Sequence, residues 1–539
     1  MAGQALPGAV EQLDAIRSGY TFDAAALELG AALDGESAHA DAPVRVPLST
    51  LNRHGLVAGA TGTGKTKTLQ AMAEQLSAQG VPVFLADIKG DLSGLTEPGA
   101  DNPKVSERAA SVGQEWTPTA SPVEFLSLGG QGKGVPIRAT VTSFGPTLLS
   151  KVLGLNSTQE SSLGLVFHYA DAHGLALLDL KDLREVIMFL TSDEGKDELK
   201  AIGGLSKQTA GVILRELTTF ANQGADVFFG EPEFDTAELL RTAQDGHGII
   251  SCLVLADVQD RPQLFSTFLM WLLADLFQDL PEVGDAEKPK LVFFFDEAHL
   301  LFNDASKEFL DSIEQTVRLI RSKGVGIFFV TQSPKDVPAG VLAQLGNRVQ
   351  HALRAFTPDD AKALKAAART YPKSSYDLEE LLTQLGTGEA VVTVLSENGA
   401  PTPVAWTRMR APQSLMSPAS AITVDGVITA SPLNAKYAEA VDRESAYELL
   451  RQRLEPPTGQ APEHGETPGG RQPLPDALPR DGAPREAPRD SHRSDQDEGG
   501  FLGSVMSNPA VRSMMRSAGT ALGREITRSI FGTSRRRRR

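Results

Sequence analysis

A glycine-rich segment contains the residues of this sequence best suited to bind a nucleotide. Residues 59–66 read Gly-Ala-Thr-Gly-Thr-Gly-Lys-Thr, which completes the pattern G-x-x-x-x-G-K-[ST]. Such a loop surrounds a triphosphate with backbone N–H groups, and the dipole of the following helix favours negative charge there. We predict that Lys65 contacts the β- and γ-phosphates of ATP and that the Thr66 hydroxyl binds Mg²⁺. The predicted nucleotide-binding residues are Gly59, Ala60, Thr61, Gly62, Thr63, Gly64, Lys65, Thr66 and Lys67.

An acidic pair far downstream supplies the carboxylates that this loop lacks and that ATP hydrolysis requires. Asp296 and Glu297 directly follow five bulky apolar residues, 291–295. A run of this kind predicts a central parallel strand that is buried on both faces and carries Asp296 to the sheet edge beside the glycine-rich loop. There Asp296 can hold Mg²⁺ through water, and Glu297 is the predicted catalytic base that polarises the attacking water. An ordinary acidic pair at a strand end is the alternative.

Three more side chains are candidates for the hydrolysis of ATP. Gln332 ends the next predicted strand, where an amide can contact the γ-phosphate or the water. Arg318 and Arg321 lie on a helix predicted over residues 309–323. An arginine supplied across a subunit boundary stabilises transition-state charge and is worth on the order of 10³-fold or more in rate. For either arginine a solvated helix face is the other explanation.

Two neighbouring segments leave more than one interpretation open. Residues 87–91 close a predicted strand at the same sheet edge and either contact magnesium-bound water or a neighbouring subunit, or form a simple turn. Residues 296–299 spell Asp-Glu-Ala-His, as in superfamily 2 helicases. The Ser-Ala-Thr motif of those helicases is absent after the next predicted strand, so we interpret His299 as a polar residue at a helix start.

Short apolar runs alternate with helical periodicity between residues 51 and 412, which predicts an α/β fold with a mainly parallel sheet. The predicted strands cover residues 44–48, 55–58, 81–86, 291–295, 326–331 and 389–395, and the predicted helices include 66–79, 309–323 and 434–454. Residues 146–223 keep helical spacing and are predicted to form an inserted helical subdomain. The expected domains are an N-terminal helix and strand (1–45), the nucleotide-binding domain (46–412), a helical extension (413–454), a linker (455–500) and a tail (501–539).

Charge is unevenly distributed along the 539 residues, whose net charge is −16. Residues 501–539 hold nine arginines and one glutamate, or +8, which leaves −24 on the rest. So acidic a body is not a nonspecific coat for nucleic acid, although a local basic channel is compatible with it. The Pro-rich linker is predicted to be disordered. The tail is predicted to be a basic amphipathic helix that contacts an anionic membrane surface or DNA, or that self-associates.

Several features of the sequence also indicate the cellular compartment of the protein. The most apolar stretch, residues 264–277, is short and contains Thr267 and Asp275, so it predicts a buried helix and not a membrane span. The N-terminus has no basic and hydrophobic secretory signal. The single cysteine, Cys252, lies in an apolar run and is expected in a buried strand. We therefore expect a cytoplasmic protein.

Four segments together resemble the HerA/FtsK superfamily of P-loop motors. They are residues 52–69, 86–92, 295–302 and 330–334. Residues 45–410 resemble most closely the bacterial "helicase HerA-like C-terminal domain" family, whose pattern residues 385–395 and the arginine-ended tail also fit. The resemblance implies a RecA-like (ASCE) P-loop NTPase core in a homo-oligomer, a hexameric ring that uses ATP and Mg²⁺ to translocate or unwind double-stranded DNA. Within that family pattern, Arg321 is the best fit to the arginine finger and Arg318 the reserve.

The resemblance has one departure. HerA motors carry an N-terminal β-barrel that docks a nuclease partner, and the 45 Ala-rich residues here are too few to form one, so nuclease coupling is not expected. Two other functions stay open on the sequence. One is an ATPase motor that acts on a protein substrate or at the membrane, with the basic tail as its recruitment element. The other is a nucleotide-gated scaffold, against which the intact Glu297 argues.

Overall fold

The computed structural model describes residues 9–284, 286–303, 305 and 307–454. The compact unit considered below ends at Leu450. The predicted linker over 455–500 and the predicted basic helix within 501–539 lie outside the described residues, so both stay predictions.

One mixed sheet organises the described residues. Its strands are β1 (Ala26–Asp34), β2 (Ser37–Pro47), β3 (Gly55–Ala58), β4 (Val83–Asp87), β5 (Val123–Leu128), β6 (Val135–Ile137), β7 (Ile250–Val254), β8 (Leu291–Phe295), β9 (Val325–Thr331), β10 (Asn347–His351), β11 (Glu389–Thr393) and β12 (Ala405–Met409). Their order is β2-β1-β12-β11-β10-β3-β9-β8-β4-β7-β5-β6. In this order, β10, β3, β9, β8, β4, β7, β5 and β6 are parallel to one another. On the other side of β10, each successive strand pairs antiparallel with the one before it: β11 with β10, β12 with β11, β1 with β12 and β2 with β1.

Helices connect these strands and cover the sheet. They are α1 (Ala9–Gly19), α2 (Lys65–Ala78), α3 (Pro103–Ser111), α4 (Val141–Val152), α5 (Ser157–Ala172), α6 (Leu180–Thr191), α7 (Lys196–Ala201), α8 (Lys207–Asn222), α9 (Pro262–Asp279), α10 (His299–Phe302), α11 (Lys307–Ile320), α12 (Ala339–Leu342), α13 (Pro358–Ala368), α14 (Leu378–Gln384), α15 (Ala421–Ala430), α16 (Pro432–Tyr437) and α17 (Ala446–Leu454). Helices α4–α8 all fall in the connection from β6 to β7, which is the stretch whose periodicity predicts a helical insertion.

The middle of the sheet positions the predicted site. β9 lies between β3 and β8, and all three strands are parallel and buried along their whole length. Their apolar side chains pack on both faces of the sheet, as continuous hydrophobic runs require. Because carboxyl ends of parallel strands meet at one edge, the segments after Ala58, Phe295 and Thr331 converge there.

The predicted buried helix and the predicted buried cysteine are both confirmed. Residues 264–277 fall within α9, where Trp271 is fully buried, and no helix among the described residues is long and apolar enough to cross a membrane. Cys252 is buried in β7.

Two secondary-structure predictions were wrong in extent. Before residue 50 the sequence predicts one strand, at residues 44–48, but β1 and β2 form a hairpin that pairs with β12 and extends the sheet. β1 is mostly Ala, Leu and Gly, so its composition gives no strong strand preference and its pairing decides its conformation. The helix predicted over 434–454 is interrupted between Tyr437 and Ala446, so that α16 and α17 are separate.

The tight pairing of β1 with β12 makes a stability prediction at Gly30. A Cβ atom there would lie 2.0 Å from the carbonyl oxygen of Arg408, which is backbone and cannot turn aside. We expect Gly30→Ala to lower the free energy of unfolding by about 1–3 kcal/mol, as overpacking does. The matched control is Gly164→Ala within α5, where a Cβ meets nothing within 4 Å and helix propensity favours alanine by up to about 1 kcal/mol. Urea titration of both variants measures this, and equal stabilities would contradict the pairing.

Candidate active site

The glycine-rich loop joins β3 to α2 as an open cradle. Gly59, Gly62 and Gly64 all adopt positive φ, at 153°, 78° and 115°. Gly59 also tolerates no side chain, because a Cβ would lie 2.5 Å from the Cβ of His351. The Lys65 ammonium folds back and donates to the Ala60 carbonyl at 3.1 Å. The first turn of α2 leaves backbone N–H groups without intrahelical acceptors, so the loop and helix together fit an anion.

Two other loops, which contain Ala352 and Gly388, form backbone hydrogen bonds with this cradle. Ala60 N–H donates to the Ala352 carbonyl at 2.7 Å, and Gly388 N–H donates to the Thr63 carbonyl at 2.9 Å. Arg108 on α3 donates to the carbonyls of Thr387 and Gly388, both at 3.0 Å. The loop shape therefore depends on segments some 290 and 325 residues further along the chain (352 − 60 = 292; 388 − 63 = 325).

His351 at the end of β10 is a buried part of the same support. Its Nδ1 lies 2.9 Å from the Glu389 carbonyl and its Nε2 lies 2.9 Å from the Thr68 hydroxyl. A carbonyl only accepts, so Nδ1 carries a proton, and the hydroxyl can donate to an unprotonated Nε2; a neutral ring therefore satisfies both contacts. Burial lowers the pKa of His351 to about 4, and the nearby Lys65 charge acts in the same direction.

Asp296 fits the prediction of a metal-binding carboxylate. It is only 2% exposed, and its Oδ2 has no hydrogen-bond partner among the described residues. Burial raises the pKa of Asp296 to about 7, and the adjacent Glu297 charge adds to that shift. A buried, unpartnered carboxylate oxygen is costly unless a cation or donor compensates it, so this oxygen fits Mg²⁺. No group of three or more His, Cys, Asp or Glu in the described part of the chain is placed to hold a metal without a nucleotide.

Three side chains lie beside Glu297 at the end of β8. Its Oε1 forms an ion pair with the Lys89 ammonium. Its Oε2 lies 3.5 Å from the Gln332 amide nitrogen and 3.2 Å from His299 Nδ1, which is not aligned for a hydrogen bond. Burial acts to raise the pKa of Glu297, but Lys89, together with His299 and Gln332, outweighs it and lowers that pKa.

Residues 87–91 form a turn, which was one of the two interpretations that the sequence leaves open. The Asp87 carboxylate accepts from the N–H groups of Gly90, Asp91 and Leu92 at 2.8, 3.3 and 3.1 Å. Burial raises the pKa of Asp87 to about 6 despite these bonds. The turn directs Lys89 toward Glu297, a contact that the sequence does not reveal.

Gln332 is exposed at the mouth of a cleft of about 660 Å³ beside the loop. Ala60, Thr61 and His299 line the same cleft, so the strand-end amide and the glycine-rich loop share one solvent-accessible space. Phe356, which is 87% exposed, lies at its rim. The structure thus brings Gln332 to the predicted position.

Thr66 and Lys67 continue the loop into α2 in different ways. The Thr66 side chain makes no hydrogen bond to the described residues. The Lys67 ammonium instead donates to the Met416 carbonyl and, at 3.1 Å, to Gln70 Oε1. Within this chain, the Lys67 side chain therefore points away from the cradle, and only its backbone N–H is placed for a phosphate.

Arg318 and Arg321 lie at the other edge of the sheet. Arg318 lies in the last turn of α11, and Arg321 begins the short helical turn that leads into β9. The seven residues of β9 separate both arginines from Gln332 by roughly 20 Å. Arg318 pairs with Glu314 at 2.8 Å. Neither arginine therefore reaches the loop of its own chain.

Comparisons with known proteins bear on the same region. The family model described as "Helicase HerA-like C-terminal" matches residues 34–539. The chain is 22% identical over 355 residues to the DNA double-strand break repair helicase HerA of Sulfolobus acidocaldarius, covering 65% of this chain and 64% of that protein. It is also 22% identical over 365 residues to the helicase HerA of Sulfurisphaera tokodaii, with 66% of each chain covered. The chain thus spans just under two thirds of the length of these relatives.

Two solved structures align with much of the chain at low similarity. The bacterial conjugative coupling protein TrwB aligns with a TM-score of 0.48 at 15% identity, over 74% of this chain and 92% of that one. VirB4 of Thermoanaerobacter pseudethanolicus aligns with a TM-score of 0.44 at 17% identity, over 74% of this chain and 98% of that one.

The buried neutral ring of His351 predicts a pH effect on stability. Since the folded pKa of about 4 lies below the ordinary 6.5, protonation favours the unfolded chain. The contribution of His351 is therefore fully present above pH 6.5 and is lost as the pH falls toward 4, by up to about 3 kcal/mol. We expect the stability of the wild type relative to His351→Gln to fall by that order between pH 7 and pH 4 in urea titrations. A difference that does not vary with pH would contradict the neutral, buried ring.

Proposed function

This chain belongs to the helicase HerA-like C-terminal family, and from that premise we propose that it is an ATP-hydrolysing ring motor that translocates or unwinds double-stranded DNA. One observation carries the proposal. The nucleotide cradle after β3 and the Asp296–Glu297 pair after β8 flank the strand that ends in Gln332, all at one sheet edge. That arrangement supports a phosphate site, a metal-binding carboxylate and a base at one edge of the sheet.

In this proposal, different residues around the cradle bind the phosphates and the Mg²⁺ ion. The N–H groups from Thr61 to Lys67 surround the phosphates, and Lys65 exchanges the Ala60 carbonyl for phosphate oxygens. Thr66 and Asp296 hold Mg²⁺, which when bound neutralises charge on the phosphates. Burial lowers the pKa of Lys65, although Glu297 and Asp296 oppose that shift, so an incoming anion also compensates a partly desolvated ammonium.

Glu297 and Gln332 handle the attacking water in this proposal. The Gln332 amide orients the water, and Glu297 Oε2 accepts its proton as the oxygen attacks the γ-phosphorus. The bond from the γ-phosphorus to the bridging oxygen breaks on the opposite side, and ADP is the leaving group. Gln332 lines the cleft and its amide nitrogen lies 3.5 Å from Glu297 Oε2, which supports a site where both side chains can contact the same water.

The substrate and the ring rest on different support. DNA as the polymer is supported by relatives that are named DNA repair helicases. An assembly of several copies is supported by the distance between each arginine and the loop of its own chain, because in this proposal the arginine acts on the site of a neighbouring copy. Exposed Lys207 and Arg215 on α8 are candidates for contact with DNA, whereas Lys151 is bound to Ser312 at 2.8 Å.

The direct test is the steady-state ATPase rate with and without linear double-stranded DNA. We expect DNA to stimulate the wild type. Glu297→Gln should lower kcat by at least about 100-fold with nucleotide still bound, because it removes the base. Lys65→Ala should lose nucleotide binding as well. ATPase activity that ignores DNA would contradict the DNA motor and favour a protein substrate; no ATPase activity at all would contradict the proposal entirely.

A mixing experiment tests whether sites form between copies. Lys65→Ala and Arg321→Ala chains, each inactive alone, should regain part of the ATPase activity when mixed, since some interfaces then combine an intact loop with an intact arginine. The matched control mixes Lys65→Ala with Glu297→Gln, whose losses lie on the same side of an interface. Recovery that requires intact Arg318 instead would assign the role to that residue, and no recovery with either arginine would contradict a shared site.

A further inference from the structure

Lys89 is the one ammonium that contacts the proposed catalytic base in the described part of the chain. We propose that Lys89 is a positioning residue, which anchors one oxygen of Glu297 so that the other faces the attacking water. The inference rests on the proposed function, because it assigns a role in that hydrolysis. Lys89 lies in residues 87–91, for which the sequence suggests contact with magnesium-bound water, a neighbouring subunit or a simple turn, but not contact with Glu297.

The two carboxylate oxygens of Glu297 face different surroundings. Oε1 is occupied by the Lys89 ammonium. Oε2 is the oxygen near Gln332 and His299, and these two residues line the cleft together with Ala60 and Thr61. Its two contacts are long or poorly aligned, so water can displace them. The oxygen on the cleft side is therefore the free one, and the oxygen away from it is the one held.

The backbone of Glu297 needs such an anchor. Its φ is +46°, in the left-handed region that residues with side chains seldom adopt. Conformations of this kind persist where the surroundings determine them more than once. The next N–H, of Ala298, donates to the Val330 carbonyl at 2.9 Å, which holds the main chain against β9. Lys89 then holds the end of the side chain.

The position of Lys89 is itself fixed. It lies in the turn after β4, where the Asp87 carboxylate accepts three backbone N–H groups. β4 pairs with β8 in parallel, so the turn and Glu297 leave neighbouring strands at the same edge. A lysine stem spans that short separation, and the ammonium pairs with Oε1, whereas the two cleft-lining residues Gln332 and His299 lie beside Oε2.

The charges of Asp296 and Glu297 also favour a positioning role for Lys89. The carboxylates of Asp296 and Glu297 are neighbours and both buried, so they repel each other. Without a cation the Glu297 side chain is expected to turn away from Asp296 toward solvent. The Lys89 ammonium acts on both carboxylates and keeps Glu297 close to the predicted metal position. A lysine that contacts the phosphates, or one that restrains Glu297 from acting, are the competing roles.

The test uses the full chain with Lys89→Met, which removes the charge and keeps the length, and with Lys89→Arg. We expect Lys89→Met to lower kcat by about 10–100-fold, the usual effect of a misplaced catalytic group, with KM changed by no more than about twofold. The affinity for a non-hydrolysable ATP analogue, measured by calorimetry, should also stay within about twofold. Lys89→Arg should recover most of the rate, since it keeps the ion pair.

A double variant shows whether Lys89 acts through Glu297. In the Glu297→Gln background, Lys89→Met should cost less than about twofold in kcat, and its effect on the melting temperature of the nucleotide-free protein should be smaller than in the wild type. Lys133→Met is the matched control, because Lys133 also pairs with a carboxylate, Asp425, but in a loop far from the cleft. It should keep the wild-type rate.

The other outcomes each contradict the proposal in a recognisable way. A weakened analogue affinity would make Lys89 a phosphate ligand, and a raised rate without DNA would make it a restraint. Additive losses in the double variant, or an unchanged rate in Lys89→Met, would show that it does not act on Glu297. A wild type without ATPase activity would refute the proposed function together with this role, whereas with an active wild type these outcomes would refute the role of Lys89 alone.

Discussion

The parallel pairing of β3, β9 and β8 is the constraint on which the rest of the site depends. Each strand is buried along its length, so a shift of any of them would expose apolar side chains or leave ladder hydrogen bonds unmade. The register sets Ala58 beside Thr331, and Phe295 beside Phe329. As a result, one edge of the sheet carries the glycine-rich loop, Gln332 and the acidic pair. Strand pairing alone places them there, and no contact between their side chains is required.

Three charged side chains lie at that edge, and neighbouring groups of the protein compensate their charges only in part. Asp296 is buried with an unpartnered oxygen, Lys65 is buried against a carbonyl, and Glu297 depends on Lys89. Each of these is unfavourable or marginal in the protein alone, because desolvated charge without a partner costs free energy. A bound triphosphate with Mg²⁺ would supply a cation for Asp296 and an anion for Lys65 at once. The same incomplete compensation that costs stability therefore prepares the site to bind a nucleotide.

The sequence predicts the local parts of this site well and the long-range parts poorly. The loop, the strand that ends at Asp296 and the position of Gln332 follow from short patterns, since a buried strand and its final polar residue are adjacent in the chain. Lys89 and His351 do not follow from such patterns, because their contacts depend on which strands are neighbours. The β1–β2 hairpin escapes prediction for the same reason, since partner strands and not its own residues decide its conformation. The positions of Arg318 and Arg321 before β9 follow from periodicity, but only the topology shows that both lie far from the loop of their own chain.

The most direct measurement is an experimental structure of the full chain with Mg²⁺ and a non-hydrolysable ATP analogue. The account predicts the phosphates in the cradle of residues 59–66, the Lys65 ammonium on phosphate oxygens, and Asp296 and Thr66 at the metal. It also predicts Glu297 with one oxygen toward the γ-phosphate side of the cleft. A nucleotide bound elsewhere, or an acidic pair turned away from the metal and the phosphates, would contradict it.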